Sequence, residues 1–413
     1  MYTLIPDIIN VIHGQLDFIS QSNLRLVSKY FVIYPITNLF DNVPNKEKLT
    51  DNILKLYSFV IKLNARSNNK ITTINHLCNL RILDASHTCK IDNNGLLQLT
   101  NLTKLDASLN NKITNVNHLI NLQILSAEGY CGIRDHGMSQ LTNLTKLYVH
   151  GNNKITNVNH LINLQILSAE GYCGIRDHGI GRLTNLTKLY VHGNDEITDI
   201  NHLYNLRTLY AGGNCGIDNI GLDKLTNLTK LDVPDNDKIT DINHLINLRI
   251  LNAGGDCGIR DNGIRLLTNL TQLNAGDNEK ITNVNHLCNL QILDAGGSNC
   301  GINDNGIQLL ANLTQLDVSH NNKITNINHL CNLRILDAGD NCGIGNDGLS
   351  RLTNLTQLDV SNNNKITNVN HLCNLRILYA GDNCGIGNDG LSRLTNLTQL
   401  DVSNNNKITN INR

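Results

Sequence analysis

Apolar side chains fall on a fixed grid from residue 60 to residue 413. The hexapeptide Leu80-Arg81-Ile82-Leu83-Asp84-Ala85 sets it, apolar at positions 1, 4 and 6 and followed by Cys89 and Ile91. It returns from Leu122, Leu164, Leu206, Leu248, Leu290, Leu333 and Leu375. A second form, Leu102-Thr103-Lys104-Leu105-Asp106-Ala107 with Asn110 and Ile113 behind it, alternates with the first. Together they make a 42-residue period, marked by His76, His118, His160, His202, His244, His286, His329 and His371. One interval is 43, where Ser298 and Asn299 lengthen a loop. Counting back, Val60 to Ala65 with Asn68 is the first Asn-type repeat, giving nine Asn-type and eight Cys-type repeats. A repeat of 20 or 22 residues cannot bury its apolar face alone, so the period predicts stacking into a solenoid.

Strand alternation turns positions 1, 4 and 6 inward and positions 3 and 5 toward the concave sheet face. Position 6 is always Ala or Val, so the core there is narrow. The Asn68, Asn110, Asn152 series forms one ladder whose amides can satisfy backbone groups at the turn after each strand. In Cys-type repeats, Asp135-His136-Gly137-Met138 and its equivalents predict a short capped helix on the convex side. The Asn-type Ile-Thr-Asn-Val-Asn segment is too β-branched and Asn-rich for a helix, so extended or 3₁₀ backbone is expected. The Asn-type pattern resembles the leucine-rich repeat, L-x-x-L-x-L-x-x-N. The Cys-type pattern looks like its cysteine-containing class, roughly C-x-x-I-T-D-x-G-L, with Cys one place nearer the Ile. The resemblance implies an α/β solenoid, a horseshoe with a parallel concave sheet.

Composition breaks near residue 60: all four Phe and three of the four Pro precede it. Pro6 suits a first helical turn, with Asp7 at the positive end of the dipole. Ile8, Ile9, Ile12 and Leu16 recur at helical spacing, and Ser20 can cap a second helix carrying Leu24, Val27 and Phe31. This opening resembles an F-box. Leu4-Ile5-Pro6-Asp7-Ile8-Ile9 matches L-P-x-D-I-L, and Leu24 to Phe31 matches the L-R-x-V-S/C-K-x-F/W close. Ile5 and Ser20-Gln21-Ser22 depart from the family pattern. The expected organisation is an F-box-like helical segment over 1–45, a linker helix and cap over 46–59 with Leu49, Ile53 and Leu56 inward, and the solenoid over 60–413. The resemblance implies a substrate receptor of an SCF-type cullin-RING ubiquitin ligase. Leu4, Pro6, Ile8, Ile9, Leu24, Val27 and Phe31 would then meet a Skp-type adaptor, and the repeats a target protein. The Asn- and Ile-rich near-copies are similar to the F-box/leucine-rich-repeat families of amoebal large DNA viruses, which implies a host's cytoplasm and ligase. The alternative is a repeat scaffold or adhesin whose helical start is only a cap.

A net charge of −1 argues against a nucleic-acid or anionic-membrane partner. No run of 18 apolar residues exists to span a membrane, and no basic-then-apolar secretory signal opens the chain. Eight of the twelve cysteines share one phase of the repeat. Same-phase residues two strands apart are roughly 10 Å apart, beyond the roughly 7 Å that a disulfide spans. Buried thiols in a reducing compartment are expected. The His ladder fails as a metal array for the same reason, and hydrogen-bonded structural His is expected. Asn-Leu-Thr occurs eight times as repeat copies rather than glycan sites. No catalytic trio, phosphate loop or cofactor motif stands out, so the expectation is a non-enzymatic protein with no cofactor.

Position 5 varies in an informative way. It runs Asp84, Asp106, Ser126, Tyr148, Ser168, Tyr190, Tyr210, Asp232, Asn252. His150 and His192 follow two of these tyrosines, and Tyr130 and Tyr172 stand at strand exits beside Glu128 and Glu170. In a chain that is 4% aromatic, this cluster predicts a partner-docking patch at Tyr148, His150, Tyr190, His192 and Tyr210. Beyond it the face turns acidic, with Asp294, Asp317, Asp337, Asp359 and Asp401, while position 3 changes from Lys104, Lys146, Lys188 and Lys230 to Gln.

Overall fold

The computed structural model describes residues 38–39 and 46–409. The adaptor-contact residues Leu4, Pro6, Ile8, Ile9, Leu24, Val27 and Phe31 lie outside the described residues. The chain divides into two compact units, residues 1–205 and 206–413. The first holds β1 (Asn38–Leu39), β2 (Lys62–Asn64), β3 (Ile82–Asp84), β4 (Lys104–Asp106), β5 (Ile124–Ser126), β6 (Lys146–Tyr148), β7 (Ile166–Ser168) and β8 (Lys188–Tyr190). The second holds β9 (Thr208–Tyr210), β10 (Lys230–Asp232), β11 (Ile250–Asn252), β12 (Gln272–Asn274) and β13 (Ile292–Asp294). It continues with β14 (Gln315–Asp317), β15 (Ile335–Asp337), β16 (Gln357–Asp359), β17 (Ile377–Tyr379) and β18 (Gln399–Asp401). Within each unit every strand pairs in parallel with the next, position for position, as Leu83 does with Leu105 and Leu125 with Leu147. Each unit is a leucine-rich-repeat solenoid.

Leu80, Leu83 and Ala85 are at most 1% exposed, and the same three positions are buried in nearly every repeat, as alternation requires. The chain must then turn sharply. In the first unit the turn uses a left-handed residue in each repeat: Ser67, His87, Leu109, Gly129, Gly151, Gly171 and Gly193. Asn110, 1% exposed, ties the turn down. Its Nδ2 donates to the Ala85 and Ile91 carbonyls of the preceding repeat at 2.8 and 3.1 Å, while its Oδ1 accepts the Lys112 N–H at 2.9 Å. Asn152 repeats this with Ala127 and Lys154. Each amide therefore donates backwards and accepts locally.

The eight same-phase cysteines are buried free thiols, and burial pushes Cys131 and Cys257 up to about 11. Cys78, Cys288, Cys331 and Cys373 are exposed. The His ladder is structural: Nε2 of His118 donates to the Leu96 carbonyl at 3.0 Å, and His160 and His202 do the same to Met138 and Ile180. The His76 Nε2 is buried without a partner.

Two local expectations are corrected. The Cys-type convex segments are short α or 3₁₀ turns, such as Asp135–Gly137, but Asp135 does not cap its own turn. Its carboxylate accepts the Thr156 N–H at 2.7 Å and hydroxyl at 2.6 Å, clasping the next repeat instead. Asp177 does this with Thr198, Asp261 with Thr282 and the equivalent Asn93 with the Thr114 N–H at 2.8 Å, while the residue before Asn93, Asp92, caps that turn by accepting the Gly95 N–H at 3.0 Å. In the linker, the inward residue is Leu54, at 0% exposure. Ile53 and Leu56 are 36% and 79% exposed, because residues 51–54 are α-helical and 55–57 tighten to 3₁₀. The Asn-type convex segments hold no helix but turns such as Leu119 N–H to Val116 O, 3.0 Å.

The linker is itself a repeat. β1 pairs with β2 in parallel, Leu39 against Leu63, and Leu39 is 1% exposed. The Asn68 Nδ2 donates to the Leu49 carbonyl at 3.1 Å, the bond Asn110 makes to Ile91, and Asp51 clasps Thr72 as Asp135 clasps Thr156. Residues 38–39 and 46–57 thus supply the elements of a Cys-type repeat, in a stretch of sequence that has no Cys.

Candidate docking face

Position 5 has a structural duty that its residue types conceal. Where it is Asp or Asn, the side chain accepts the backbone N–H two residues on, an Asx-turn that holds the strand exit; Asp232 is the exception, because Pro234 two residues on has no N–H. Asn64, Asp84 and Asp106 do so in the first unit at 3.1, 3.0 and 2.9 Å. Asn252, Asn274, Asp294, Asp317, Asp337, Asp359 and Asp401 do so in the second. The acidic row is therefore built into the turns. It carries a cost: Asp294, Asp317, Asp337 and Asp359 face one another in register, and burial plus Asp317 and Asp359 push Asp337 up to about 6. Tyr379 interrupts the row before Asp401.

The four consecutive strands β5 to β8 abandon that duty. Ser126, Tyr148, Ser168 and Tyr190 are in register, so two phenol rings rise two strands apart with small residues between them. Lys188 sets its ammonium 4.8 Å from the Tyr190 ring centroid, a cation–π contact from position 3 to position 5 of one strand. Two residues past position 5, Glu128, His150, Glu170 and His192 stand on successive repeats, joined by Gly129 N–H to His150 O, Gly151 N–H to Glu170 O and Gly171 N–H to His192 O. The His150 Nδ1 is 3.7 Å from Glu170, and Ser168 Oγ is 3.2 Å from the same carboxylate. Desolvation holds the Glu128 carboxyl above its usual range, with Asp106 and Glu170 adding repulsion that His150 partly offsets. Tyr130 and Tyr172 are 81% and 93% exposed.

Four of the five residues expected to form the patch, Tyr148, His150, Tyr190 and His192, thus share one face of the first unit. Tyr210 lies in the second, paired in register with Asp232 and with the Lys230 ammonium 4.8 Å from its ring centroid. The sequence pattern showed the aromatics but not the lapsed Asx-turns, nor the lysines capping two of the rings. A groove of 730 Å³ in the second unit runs past Arg334 and Arg376, but its amides are spent on structure: Asn332 donates to Ala311 O and Asn374 to Thr353 O. Among the described residues no group of three His, Cys, Asp or Glu suits a metal ion, and no helix is long and apolar enough to cross a membrane.

Neither a protein-family model nor a curated protein matches the chain. Solved structures do. A leucine-rich-repeat protein of Leptospira interrogans is similar at 22% identity and TM-score 0.54, over 91% of this chain and 95% of that one. TLR13 in its complex with ssRNA13 is similar at 19% identity and TM-score 0.57, over 87% of this chain and 63% of that one. An internalin of Listeria monocytogenes aligns at 24% identity and TM-score 0.44, over 85% and 89%. The fold is that of the leucine-rich-repeat proteins.

Proposed function

We propose that the chain is a non-enzymatic protein-interaction module. Its docking face is Tyr148, His150, Tyr190 and His192 in the first unit, with Tyr210 carrying the same chemistry in the second. The observation behind this reading is the lapse at position 5. Ten repeats spend that position on an Asx-turn, whereas β5 to β8 give up the bond for serines and exposed-face tyrosines. Residues that relinquish a structural bond on a solvent-facing strand gain by what they contact outside. Tyrosine suits that use, since it buries much area while few rotors are lost. Replacing Tyr148 and Tyr190 by Ala together weakens the target's binding by a few kcal/mol, on the order of 100-fold or more. Undiminished binding, with Asp317→Lys and Asp359→Lys abolishing it, moves the site to the acidic row.

The finer reading rests on the N-terminal resemblance: a cytoplasmic substrate receptor of an SCF-type ligase, the host's if the chain is viral. Leu4, Pro6, Ile8, Ile9, Leu24, Val27 and Phe31 contact the Skp-type adaptor. The test is adaptor pull-down by the full chain and its Ile9→Asp and Val27→Asp variants. Any deletion must stop before Asn38, because β1 belongs to the repeats. No adaptor binding by the full chain removes the ligase role and leaves the scaffold reading.

A further inference from the structure

One flank of the second unit carries a row of exposed thiols. Cys288, Cys331 and Cys373 each follow a buried leucine shortly before a strand, at intervals of 43 and 42 residues. The same position holds Ile246, 54% exposed, and in the first unit the exposed Ile120, Ile162 and Tyr204, so it faces solvent along the array. The backbone under each thiol is pinned. Asn312, Asn354 and Asn396 donate from Nδ2 to the Cys288, Cys331 and Cys373 carbonyls, each at 2.8 Å. Successive thiols stand two strands apart, about 9.6 Å, whereas a disulfide spans no more than about 7 Å between Cα atoms. The buried thiols lie past the other end of the strands, as Cys342 lies beyond β15. No pair in this row closes within the unit, so an oxidised thiol here must find its partner on another molecule.

The row is its own complement. In the repeats between the thiols the same position is Ala311 and Thr353, both exposed. A two-fold axis through Cys331, lying in the flank and at right angles to the row, maps the row onto itself in reverse, the geometry of an isologous contact. Cys331 then meets its own counterpart, Cys288 meets Cys373, and Ala311 meets Thr353, residues small enough to let the flanks approach. Three bonds can form, and every other axis across this row allows two at most. Two residues before the row, Leu266 and Leu309 are 53% and 69% exposed. The same axis sets them against Arg393 and Arg351, whose aliphatic stems can cover them. Three residues past Cys331, Arg334 meets its own counterpart. That like-charge contact opposes association, so the bonds are needed to hold the flanks together.

We propose that this flank is a redox-dependent interface at which a second copy of the chain is joined through the Cys288, Cys331 and Cys373 row. The interface is separate from the docking face and does not depend on it. For each bond, two thiols lose two protons and two electrons to a small-molecule disulfide, which departs as two thiols; excess dithiol reverses the step. The test incubates the full chain with oxidised glutathione at mildly alkaline pH, followed by non-reducing electrophoresis and mass mapping of the linked peptides. The wild type becomes a covalent dimer that dithiothreitol dissolves, with Cys331 linked to its counterpart and Cys288 to Cys373. Cys331→Ser leaves only the Cys288 to Cys373 link, and Cys288→Ser leaves only the link at Cys331. The two substitutions together leave a monomer, while Cys78→Ser changes nothing. All four cysteines are exposed, so serine there leaves the melting temperature in place. A wild-type chain that takes up glutathione and stays monomeric overturns the proposal. So do links from Cys288 to Cys331, links through Cys78, a ladder of higher oligomers, or a dimer that survives the double substitution.

Discussion

Asp51 accepts the Thr72 backbone N–H at 2.8 Å and the Thr72 hydroxyl at 2.6 Å, which clasps residues 46–57 to the first full repeat. In a solenoid each repeat is held only by its neighbours, so removing this clasp loosens one end and not the array. Asp51→Ala costs about 1–2 kcal/mol locally, the value of bonds to a charged acceptor at a partly exposed site. Hydrogen exchange speeds up across residues 49–57 and stays unchanged beyond residue 100. Uniform acceleration along the chain would show that the end repeat is not an independent layer.

Asn152 tests the ladder. Its amide is 0% exposed, with Nδ2 2.7 Å from Ala127 O and Oδ1 accepting Lys154 N–H at 2.9 Å. Asn152→Asp preserves the shape and the acceptor but sets an oxygen against a carbonyl oxygen. Asn152→Ala leaves both backbone groups unpaired. Each costs about 2–4 kcal/mol, read as a lower urea midpoint, and Asp is no milder than Ala. An Asp variant of wild-type stability would mean the donor half of the ladder contributes nothing.

The buried thiols make the fold sensitive to alkali. Burial pushes Cys89, Cys131, Cys173, Cys257, Cys300 and Cys342 up from 9.0 to about 11. A raised folded pKa means the folded state holds the proton longer. The stabilisation is thus complete below pH 9.0 and is lost as pH climbs through 11. Melting temperature should fall between those limits. At pH 8 a thiol reagent should label Cys78, Cys288, Cys331 and Cys373 quickly and the buried eight only on unfolding.

The sequence made the repeat legible because a period of 42 residues forces equivalent positions into equivalent contacts. Leu83, Asn110, Cys131 and His118 all sit where periodicity places them. What stayed hidden has no period. Leu39, Leu49, Asp51 and Leu54 keep repeat contacts, but the sequence around them has no Cys and Leu39 precedes Leu63 by 24 residues, against 22 from Leu83 to Leu105. Asp135 was misplaced for another reason. A carboxylate at a helix start can cap its own turn or reach the next repeat, and only the Thr156 hydroxyl nearby decides between them. At the docking face the tyrosines were visible, while the Asx-turns that make their presence unusual were not, because Asp reads equally as surface charge.

Asp337 places a cost in the acidic row that can be removed. Its carboxyl, raised from 3.8 to about 6 by burial and by Asp317 and Asp359, favours the protonated form in the folded state. Its stabilising contribution is therefore present below pH 3.8 and lost as pH rises through 6. Asp337→Asn keeps an Oδ1 for the Gly339 N–H, as Asn274 does for Gly276, and removes the charge. The variant should gain about 1 kcal/mol at pH 8, after allowance for solvent screening, and almost nothing at pH 4. An equal gain at both pH values would assign the effect to packing rather than to the row's repulsion.

Tyr148 and Tyr190 allow stability and binding to be separated, because position 5 accepts Asn elsewhere in the same fold. Asn64 and Asn274 each take the N–H two residues on, at 3.1 and 2.9 Å. Replacing Tyr148 and Tyr190 by Asn offers the same bond to the His150 and His192 N–H groups. An Asx-turn bond contributes about 0.5–1.5 kcal/mol. Against it stands the loss of ring packing and, at Tyr190, of the Lys188 contact, about 0.5–1 kcal/mol at an exposed site. The two nearly cancel. The double variant should therefore melt within a few degrees of the wild type while losing the partner by the factor expected of the alanine pair. That outcome means the rings are held on this face by what they bind. A large drop in melting temperature would instead make them part of the sheet's own packing, and the case for a docking site at β5 to β8 would collapse with it.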